Sequence, residues 1–294
     1  MKLLSLGDLL LDLLVRYDPA SGEVDVGAGA VQLHPGGSAA NFAVQAARFG
    51  ADVRFISRVG RDMPGEMLVR SLESEGVTPA VRAMEDEVTG RVLVMVDHAG
   101  NRRMWSYPGA SALLSPGDLD PEWFHGLDAF HLTGYSLLRE GPREAAYEAL
   151  RMARDLGSPL CTLDPNPPHL IADYGPARFR NLLGDLWFDI ILPNMEEGSL
   201  LSGEQEPDAI VSSLLEISPL VVLKLGAEGC LVGTAEERVL SQGVVVSDVV
   251  DVTGAGDAFA AAFVVEYLAR KDIRTAAAAA NQFAAQVVGR AGAR

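Results

Sequence analysis

Short apolar runs alternate along this chain with segments of helical spacing, and this order constrains the fold more than any other feature. Near the amino terminus, Lys2–Leu6 and 53–56 predict buried strands, and 36–49 and 64–72 predict helices. The order strand, helix, strand, helix is typical of a parallel sheet covered by helices. Further strands are predicted at 129–132, 160–163, 190–192, 220–225, 230–233 and 238–241, and further helices at 142–156, 178–186, 254–268 and 273–288.

One part of the chain does not follow this alternation. Residues 91–107 carry two extended runs around the turn sequence Asp-His-Ala-Gly-Asn, which is a hairpin signal. The region that begins at Leu9 is also extended and has no helix after it. We therefore expect a small antiparallel sheet, formed by about 10–34 and 90–108, that stands off a single domain spanning 1–294.

Composition narrows the class of protein. A chain of 294 residues, 48% of them hydrophobic, can build the core of one large α/β domain. The formal net charge of −16 argues against non-specific binding of nucleic acid, which requires a basic surface. Cys161 and Cys230 lie in separate apolar runs, which favours buried thiols in a reducing cytoplasm. Asp8 and Asp12 interrupt the leucine-rich start, so we expect no signal peptide. We also expect no membrane span, because no uncharged run reaches the roughly 18 residues that a span needs.

Polar residues or glycines directly follow several of the predicted strands. Asp8, Asp164 and Asn194 come after three apolar runs, and Gly226 and Gly254 come after two more. The carboxyl ends of parallel strands meet at one edge of a sheet, and ligands bind beyond that edge. We therefore expect these five positions to gather around one binding site.

The segment Asp-Val-Thr-Gly-Ala-Gly-Asp-Ala-Phe at 251–259 follows an apolar run and opens the predicted helix 254–268. Gly254 and Gly256 let the backbone turn tightly, and the first N–H groups of a helix lack intrahelical acceptors, so the turn suits a phosphate. Asp257 would lie beside that anion, where a carboxylate can act as a general base. The residues alone leave a second interpretation open, in which Asp257 only complements the helix dipole.

This segment resembles the carboxyl-terminal signature of the ribokinase family of carbohydrate kinases, also called the PfkB family. A second block, Pro-Gly-Gly-Ser-Ala-Ala-Asn-Phe-Ala at 35–43, is similar to another block of that family. The resemblance implies a ribokinase-like, three-layer α/β/α fold with a mostly parallel central sheet and a small antiparallel β lid over the sugar. It also implies a homodimer that forms through the lid.

The activity that the resemblance implies is transfer of the γ-phosphate of ATP to a hydroxyl group of a small carbohydrate, either a sugar or a sugar acid. Asp257 would take the proton from that hydroxyl group. The backbone of Gly254, Ala255 and Gly256 would form the anion hole for the transferring phosphoryl group. ATP and Mg²⁺ are the implied cofactors.

A polyol substrate needs side chains and backbone groups that offer several donors and acceptors. The residues predicted to supply them are Asp12, Gly36, Gly37, Asn41 and Asp257. The resemblance implies that Asp12 holds sugar hydroxyls. The residues alone also fit a solvated Asp12 and a core amide at Asn41.

Three departures from the family's patterns bear on the substrate. Leu10 stands where ribokinases place Asn, and Ser38 stands where they place Lys, which argues against ribose. The segment Asp-Pro-Asn at 164–166 resembles the Asp-x-Asn-x-Arg segment of fructokinases and 2-keto-3-deoxygluconate kinases, but a proline replaces the Arg. Substrates that need this Arg are disfavoured unless Arg91 or Arg103 of the lid substitutes for it, and these two arginines fit solvated lid charges equally well.

The nucleotide side resembles the family in three places. Asn-Met-Glu-Glu at 194–197 resembles the Asn-x-x-Glu motif, in which the Glu acts through water on Mg²⁺ and phosphate. The loop 224–229 resembles the one that borders adenosine and phosphates, although its residues also fit a plain hairpin. Asn281 begins a pattern similar to that of the adenine-side helix. The implied nucleotide-binding residues are Asn194, Glu197, Lys224, Gly226, Gly229, Gly256 and Asn281.

A site for a monovalent cation such as K⁺ is also implied. Asp251 and Thr253, together with carbonyl groups near Val287, Arg290 and Gly292, resemble the family's K⁺ site. The five histidines, in contrast, have no spacing typical of metal ligands, and we expect structural or surface roles for them.

Two other functions remain open. One is a nucleoside kinase of the adenosine type within the same family, and the other is a sugar sensor without catalytic activity. Retention of Asp257 and its two neighbouring glycines argues against the sensor. A P-loop kinase is excluded because the chain contains no Gly-Lys pair. A dinucleotide-binding enzyme is disfavoured, because Gly27-Ala28-Gly29 lacks both the preceding strand and the third glycine.

Overall fold

The structure is a computed structural model that describes residues 1–18, 31–97, 102–247 and 252–289. The strands in these ranges are β1 (Lys2–Leu6), β2 (Leu10–Arg16), β3 (Val31–Gly36), β4 (Asp52–Gly60), β5 (Val77–Met84), β6 (Thr89–Val96), β7 (Arg102–Gly109), β8 (Ala129–Thr133), β9 (Leu160–Asp164), β10 (Ile190–Ile191), β11 (Leu220–Lys224), β12 (Gly229–Gly233) and β13 (Arg238–Gln242). The helices are α1 (Ser38–Arg48), α2 (Met63–Ser74), α3 (Gly134–Leu138), α4 (Glu140–Leu156), α5 (Pro168–Tyr174), α6 (Pro176–Leu186), α7 (Met195–Ser202), α8 (Pro207–Leu214), α9 (Ala255–Arg270) and α10 (Ile273–Val287).

The larger sheet has nine strands in the order β13-β12-β11-β10-β9-β8-β1-β4-β5. From β11 to β5 all neighbouring strands are parallel, whereas β12 and β13 pair antiparallel. Successive strand residues face opposite sides, so Val222 joins one buried cluster with α1, α9 and α10, and Leu223 joins another with α4, α6 and α8. Helices thus cover both faces of a mostly parallel sheet, which confirms the predicted three-layer α/β/α class.

A smaller sheet has four strands in the order β3-β2-β6-β7. The outer pairs β2–β3 and β6–β7 are antiparallel, as predicted, but the central pair β2–β6 is parallel. Leu10, Val92 and Val94 form a small apolar cluster on one face of this sheet. The segments 19–30 and 98–101, which include the predicted hairpin turn, lie outside the described residues.

The sequence reasoning missed β5 and ended β4 four residues early. β5 forms the edge of the large sheet, and its Pro79 and Arg82 break the apolar pattern. In β4, Arg58 interrupts the hydrophobic run, yet its side chain is buried because it pairs with Asp118 at 2.7 Å. The charge of Arg58, which has a buried partner, therefore concealed the last residues of β4.

Cys161 and Cys230 are both buried free thiols, as predicted. Within the ranges described above, no helix is long and apolar enough to cross a bilayer.

Candidate active site

Two cavities lie beyond the carboxyl ends of the parallel strands, and the first turn of α9 lies between them. The first cavity, of about 350 Å³, lies between α1 and the smaller sheet, and its lining includes Gly254 and Asp257. The second cavity, of about 410 Å³, borders α10, and its lining includes Ala255 and Gly256. Groups bound in the two cavities would therefore meet at this turn.

The turn that starts α9 has the geometry of an anion site. Gly254 is the N-cap, and its φ of 77° lies in the left-handed region that favours glycine. The N–H of Ala255 donates to the carbonyl of Val252 at 3.2 Å, so this amide is already used within the turn. The amide of Gly256 has no acceptor one turn back in the described chain, so this donor remains available to an anion.

Asp257 lies in the first turn of α9, and two side chains of α1 hold its carboxylate. The hydroxyl of Ser38 donates to Oδ1 at 2.6 Å, and the amide of Asn41 donates to Oδ2 at 2.9 Å. Burial raises the pKa of Asp257 to about 6, against the opposing effect of the Ser38 hydrogen bond. The charge of Asp164 raises it further. A partly buried carboxyl group with this pKa is well suited to proton transfer near neutral pH.

Four of the five predicted substrate residues line the first cavity: Asp12, Gly37, Asn41 and Asp257. Gly36 lies behind them, where a Cβ would come within 2.4 Å of the Asp12 carboxylate. At Gly37, φ is 100° and a Cβ would lie 2.1 Å from the carbonyl oxygen of Asp8. The two glycines therefore allow the start of α1 to pack closely against the segment that carries Asp8 and Asp12.

Sequence reasoning missed the buried ion pair of this cavity. Arg139 donates to Asp8 at 2.8 Å, and its guanidinium lies 4.9 Å from the ring centroid of Tyr135. Burial, together with the charge of Asp8, raises the pKa of Tyr135 to about 12. The two partners are 131 positions apart in the chain, so no local motif indicates the pair. His34 and His169 also line the cavity, where only structural or surface roles were expected.

The smaller sheet supplies an apolar wall to the first cavity. Its contributing aliphatic residues are Leu10, Leu14, Val92, Val94 and Met104. Side chains alternate along a strand, so the neighbouring Arg91 and Arg103 lie on the opposite face and do not line the cavity. Of the two open interpretations of Arg91 and Arg103, this placement favours solvated lid charges, and among the described residues Arg139 is the arginine that lines the cavity.

Five of the seven predicted nucleotide residues line the second cavity: Lys224, Gly226, Gly229, Gly256 and Asn281. Gly229 has a φ of 102°, and a Cβ there would lie 2.1 Å from the carbonyl of Ser241. The amide of Asn281 donates to the carbonyl groups of Ser241 and Gln242, both at 3.1 Å, and so joins α10 to β13. Aliphatic side chains complete the lining: Val244, Val245, Val246, Val252, Ala284, Ala285 and Val288.

Charged side chains are buried beneath the turn. Lys224 pairs with Asp164 at 2.5 Å, and its ammonium would be 3.6 Å from a Cβ placed on Gly256. Glu197 is buried nearby, and burial followed by the charge of Asp164 raises its pKa to about 7. Glu197 and Asn194, the two predicted residues outside the second cavity, form a capping box at the start of α7.

The predicted cation site is only partly within the described residues. Thr253 lines the first cavity and Val287 ends α10. Asp251, Arg290 and Gly292 lie outside the described ranges. In the part of the chain that the structure covers, no three His, Cys, Asp or Glu side chains form a metal-binding group.

Comparison with known proteins places this geometry in a family. The model of the pfkB family carbohydrate kinases matches residues 1–294. A relative described as an ATP-dependent ribose-1-phosphate kinase, from Halopiger xanaduensis, is 32% identical over 299 residues, which cover 100% of this chain and 94% of the relative.

Solved structures agree with this assignment. An adenosine kinase from Sinorhizobium meliloti superposes with a TM-score of 0.91 at 25% identity, covering 100% of this chain and 95% of the other. A protein of Escherichia coli described as a ribokinase II, in complex with ATP and Mg²⁺, superposes with a TM-score of 0.87 at 26% identity, covering 99% and 94%. The chain therefore belongs to the pfkB family of carbohydrate kinases, which are phosphotransferases with an alcohol group as acceptor.

Proposed function

We propose that this protein is an ATP-dependent sugar kinase that binds a small carbohydrate in the first cavity and ATP in the second. One observation carries the proposal: Asp257 lines the first cavity while Gly256, its neighbour in the first turn of α9, lines the second. An acceptor hydroxyl and a terminal phosphate would meet there. In this proposal the chain 1–294 is one kinase domain, and the smaller sheet, with 10–34 and 90–108, is its lid.

Asp257 is the general base of the proposed reaction. Its carboxylate accepts the proton of the sugar hydroxyl as the sugar oxygen bonds to the γ-phosphorus and the bond from that phosphorus to the bridging oxygen of ADP breaks. With a pKa of about 6, the carboxylate is mostly ionised at neutral pH and is still basic enough to accept a proton. The backbone of 254–256, through the available amide of Gly256, and the ammonium of Lys224 stabilise the charge on the phosphoryl group.

The second cavity suits ATP because aliphatic walls can pack on adenine while Lys224 and Gly256 face the phosphates. Mg²⁺ supplies positive charge that offsets the charge of the phosphates. Asp164 and Glu197 would hold it through water: both carboxylates lie near Lys224, and Asp164 Oδ1 is buried without a hydrogen-bond partner.

We extend the proposal to a K⁺ ion held by Asp251, Thr253 and carbonyl groups near Val287, Arg290 and Gly292.

The charges around the first cavity favour a neutral substrate. Asp8, Asp12 and Asp257 line it, and its arginine, Arg139, is already paired with Asp8. A carboxylate or phosphate on the substrate would face this negative lining, and like charges brought together at a binding site cost several kcal/mol. Neutral pentoses, hexoses or their glycosides are therefore the preferred class.

We expect neutral sugars to be phosphorylated at least about 100-fold more efficiently than the corresponding sugar acids and sugar phosphates, in line with that like-charge repulsion. The measurement is kcat/KM from a coupled assay of ADP release over pentoses, hexoses, sugar acids, sugar phosphates and nucleosides. A sugar acid or sugar phosphate that is turned over as well as its neutral parent would contradict the charge argument.

The same screen tests a second candidate, a nucleoside kinase. The apolar wall of the first cavity, which includes Leu10 and Met104, could pack against a nucleobase. An adenosine kinase is also among the structural neighbours. Turnover of adenosine with no turnover of free sugars would favour this candidate. Stabilisation by a sugar with no ADP release from any substrate would favour the sensor.

The outer face of the lid supports a homodimer. Leu33, Leu13, Leu93 and Trp105 occupy paired positions in one row across its four strands. The side chains of Leu33, Leu93 and Trp105 are exposed. A row of exposed apolar residues across a whole sheet is typical of a protein interface.

We expect light scattering to give twice the chain mass and Trp105→Glu to yield monomers, because the substitution places a charge in the apolar row. Trp187→Glu is the matched control, since Trp187 is equally exposed (49% against 53%) but lies at the end of α6. A wild-type protein that stays monomeric at all concentrations would refute the dimer.

A further inference from the structure

A chain of two hydrogen bonds leads from Asn166 to the carboxylate of Asp257. The side-chain amide of Asn166, between β9 and α5, donates to Ser38 Oγ at 2.8 Å. The hydroxyl of Ser38, the first residue of α1, donates in turn to Asp257 Oδ1 at 2.6 Å. Three elements that are far apart in the sequence thus converge on one oxygen of the carboxylate.

The donor and acceptor capacity of each group sets the direction of these two hydrogen bonds. The NH₂ group of Asn166 can only donate, so it occupies a lone pair of the Ser38 oxygen. A serine hydroxyl has one hydrogen, and the acceptor left within reach is Asp257. If Asp257 were protonated on Oδ1, two hydrogens would compete for the space between the two oxygens. The arrangement therefore favours the ionised form of the carboxylate.

We propose that Ser38, oriented by Asn166, is a positioning residue that keeps Asp257 ionised and fixes the orientation of its carboxylate toward the first cavity. This proposal rests on the proposed function only for its catalytic meaning, because the hydrogen bonds exist without substrate. Ser38 stands where ribokinases place Lys, and this proposal gives the serine a role of its own. A neutral donor orients the base without adding a cation to the cavity.

Other groups around Asp257 also influence the ionisation of its carboxyl group. Asp164 lies at the end of β9 and opposes ionisation, whereas Lys224 at the end of β11 and Asn41 on α1 favour it. Tyr135 on α3 is neutral, since its pKa is about 12. None of these four groups contacts Ser38 Oγ among the described hydrogen bonds, so changing Ser38 tests the serine separately.

The test is a ¹³C NMR titration of the Asp257 carboxyl carbon in the substrate-free protein, assigned with Asp257→Asn. We expect Ser38→Ala to raise the pKa of Asp257 by about one unit or more, because the substitution removes a hydrogen bond that stabilises the charged form of the carboxyl group. Ser38→Thr keeps the hydroxyl and should restore the wild-type value. Asn166→Ala should shift the pKa in the same direction but less, and the double variant should match Ser38→Ala.

The matched control is Ser106→Ala, which removes a hydroxyl from the same cavity without touching Asp257. An unchanged Asp257 pKa in Ser38→Ala, or equal shifts in Ser38→Ala and Ser106→Ala, would overturn the proposal. The acid limb of the kcat/KM profile should move with the titration. Absence of turnover in the wild type would refute the kinase function instead, while the titration would still decide the role of Ser38.

Discussion

Replacing Asp257 by Asn is expected to lower kcat by about 10²–10⁴-fold, the range that a lost general base produces. An amide of the same shape cannot accept the proton, although it can still fill the space between Ser38 and Asn41. ATP binding should be retained, because the second cavity does not include this side chain. Initial rates of ADP release and calorimetric ATP binding measure the two effects.

The free energy of unfolding distinguishes the loss of the general base from misfolding of the variant. The pKa of Asp257 rises on folding, so the stability it contributes is fully present below its ordinary value of 3.8 and is lost as pH rises through about 6. Asp257→Asn removes that loss, and the variant should be at least as stable as the wild type at pH 8. Asp208→Asn, in the first turn of α8, is the matched control for a role limited to the helix dipole. Near-normal turnover in Asp257→Asn would exclude the base assignment.

Replacing Lys224 by Met is expected to lower the free energy of unfolding by about 3–5 kcal/mol, the usual effect of removing one partner of a buried ion pair. Lys224 is 12% exposed and Asp164 only 2%, so little water reaches the carboxylate that is left behind. Burial is the largest single influence and lowers the pKa of Lys224, but the charges of Asp164, Glu197 and Asp257 and the hydrogen bond to Asp164 together raise it above its ordinary value. Equilibrium denaturation measures the change.

Two further variants test whether the loss of stability comes from the buried ion pair. Lys271→Met changes an exposed lysine and should shift stability by less than about 0.5 kcal/mol, as surface substitutions usually do. The double variant Lys224→Met with Asp164→Leu removes both charges and should recover most of the loss. If Lys224→Met is as stable as the wild type, the pair is not the buried electrostatic unit described here.

The central part of the fold could be predicted from the sequence because its signals are local. Apolar runs such as Lys2–Leu6 and the helix that begins near Gly254 have the expected type and position. β5 could not be predicted, since Pro79 and Arg82 obscure an edge strand. The parallel pairing of β2 with β6 depends on residues about eighty positions apart, so the hairpin signal at 91–107 could not show it.

The site was predictable to the extent that it lies in two continuous motifs. Asp257 and Gly37 could be predicted because each lies in a short segment in which the spacing of glycines and polar residues already indicates a binding site. Arg139 was missed, and so was the contact of Asn166 with Ser38, because both depend on partners on distant elements. For Arg91 the sequence left a substrate contact and a solvated lid charge open, and its alternation with the buried Val92 favours the solvated position.

The measurement that tests the account most directly is a crystal structure with the natural carbohydrate and a non-hydrolysable ATP analogue bound together. We predict one sugar hydroxyl within about 2.6–3.2 Å of the Asp257 carboxylate, the reach of a general base. The terminal phosphate of the analogue should lie against the amide of Gly256 on the other side. A sugar bound away from Asp257, or a phosphate that does not approach the first turn of α9, would contradict the proposed kinase mechanism.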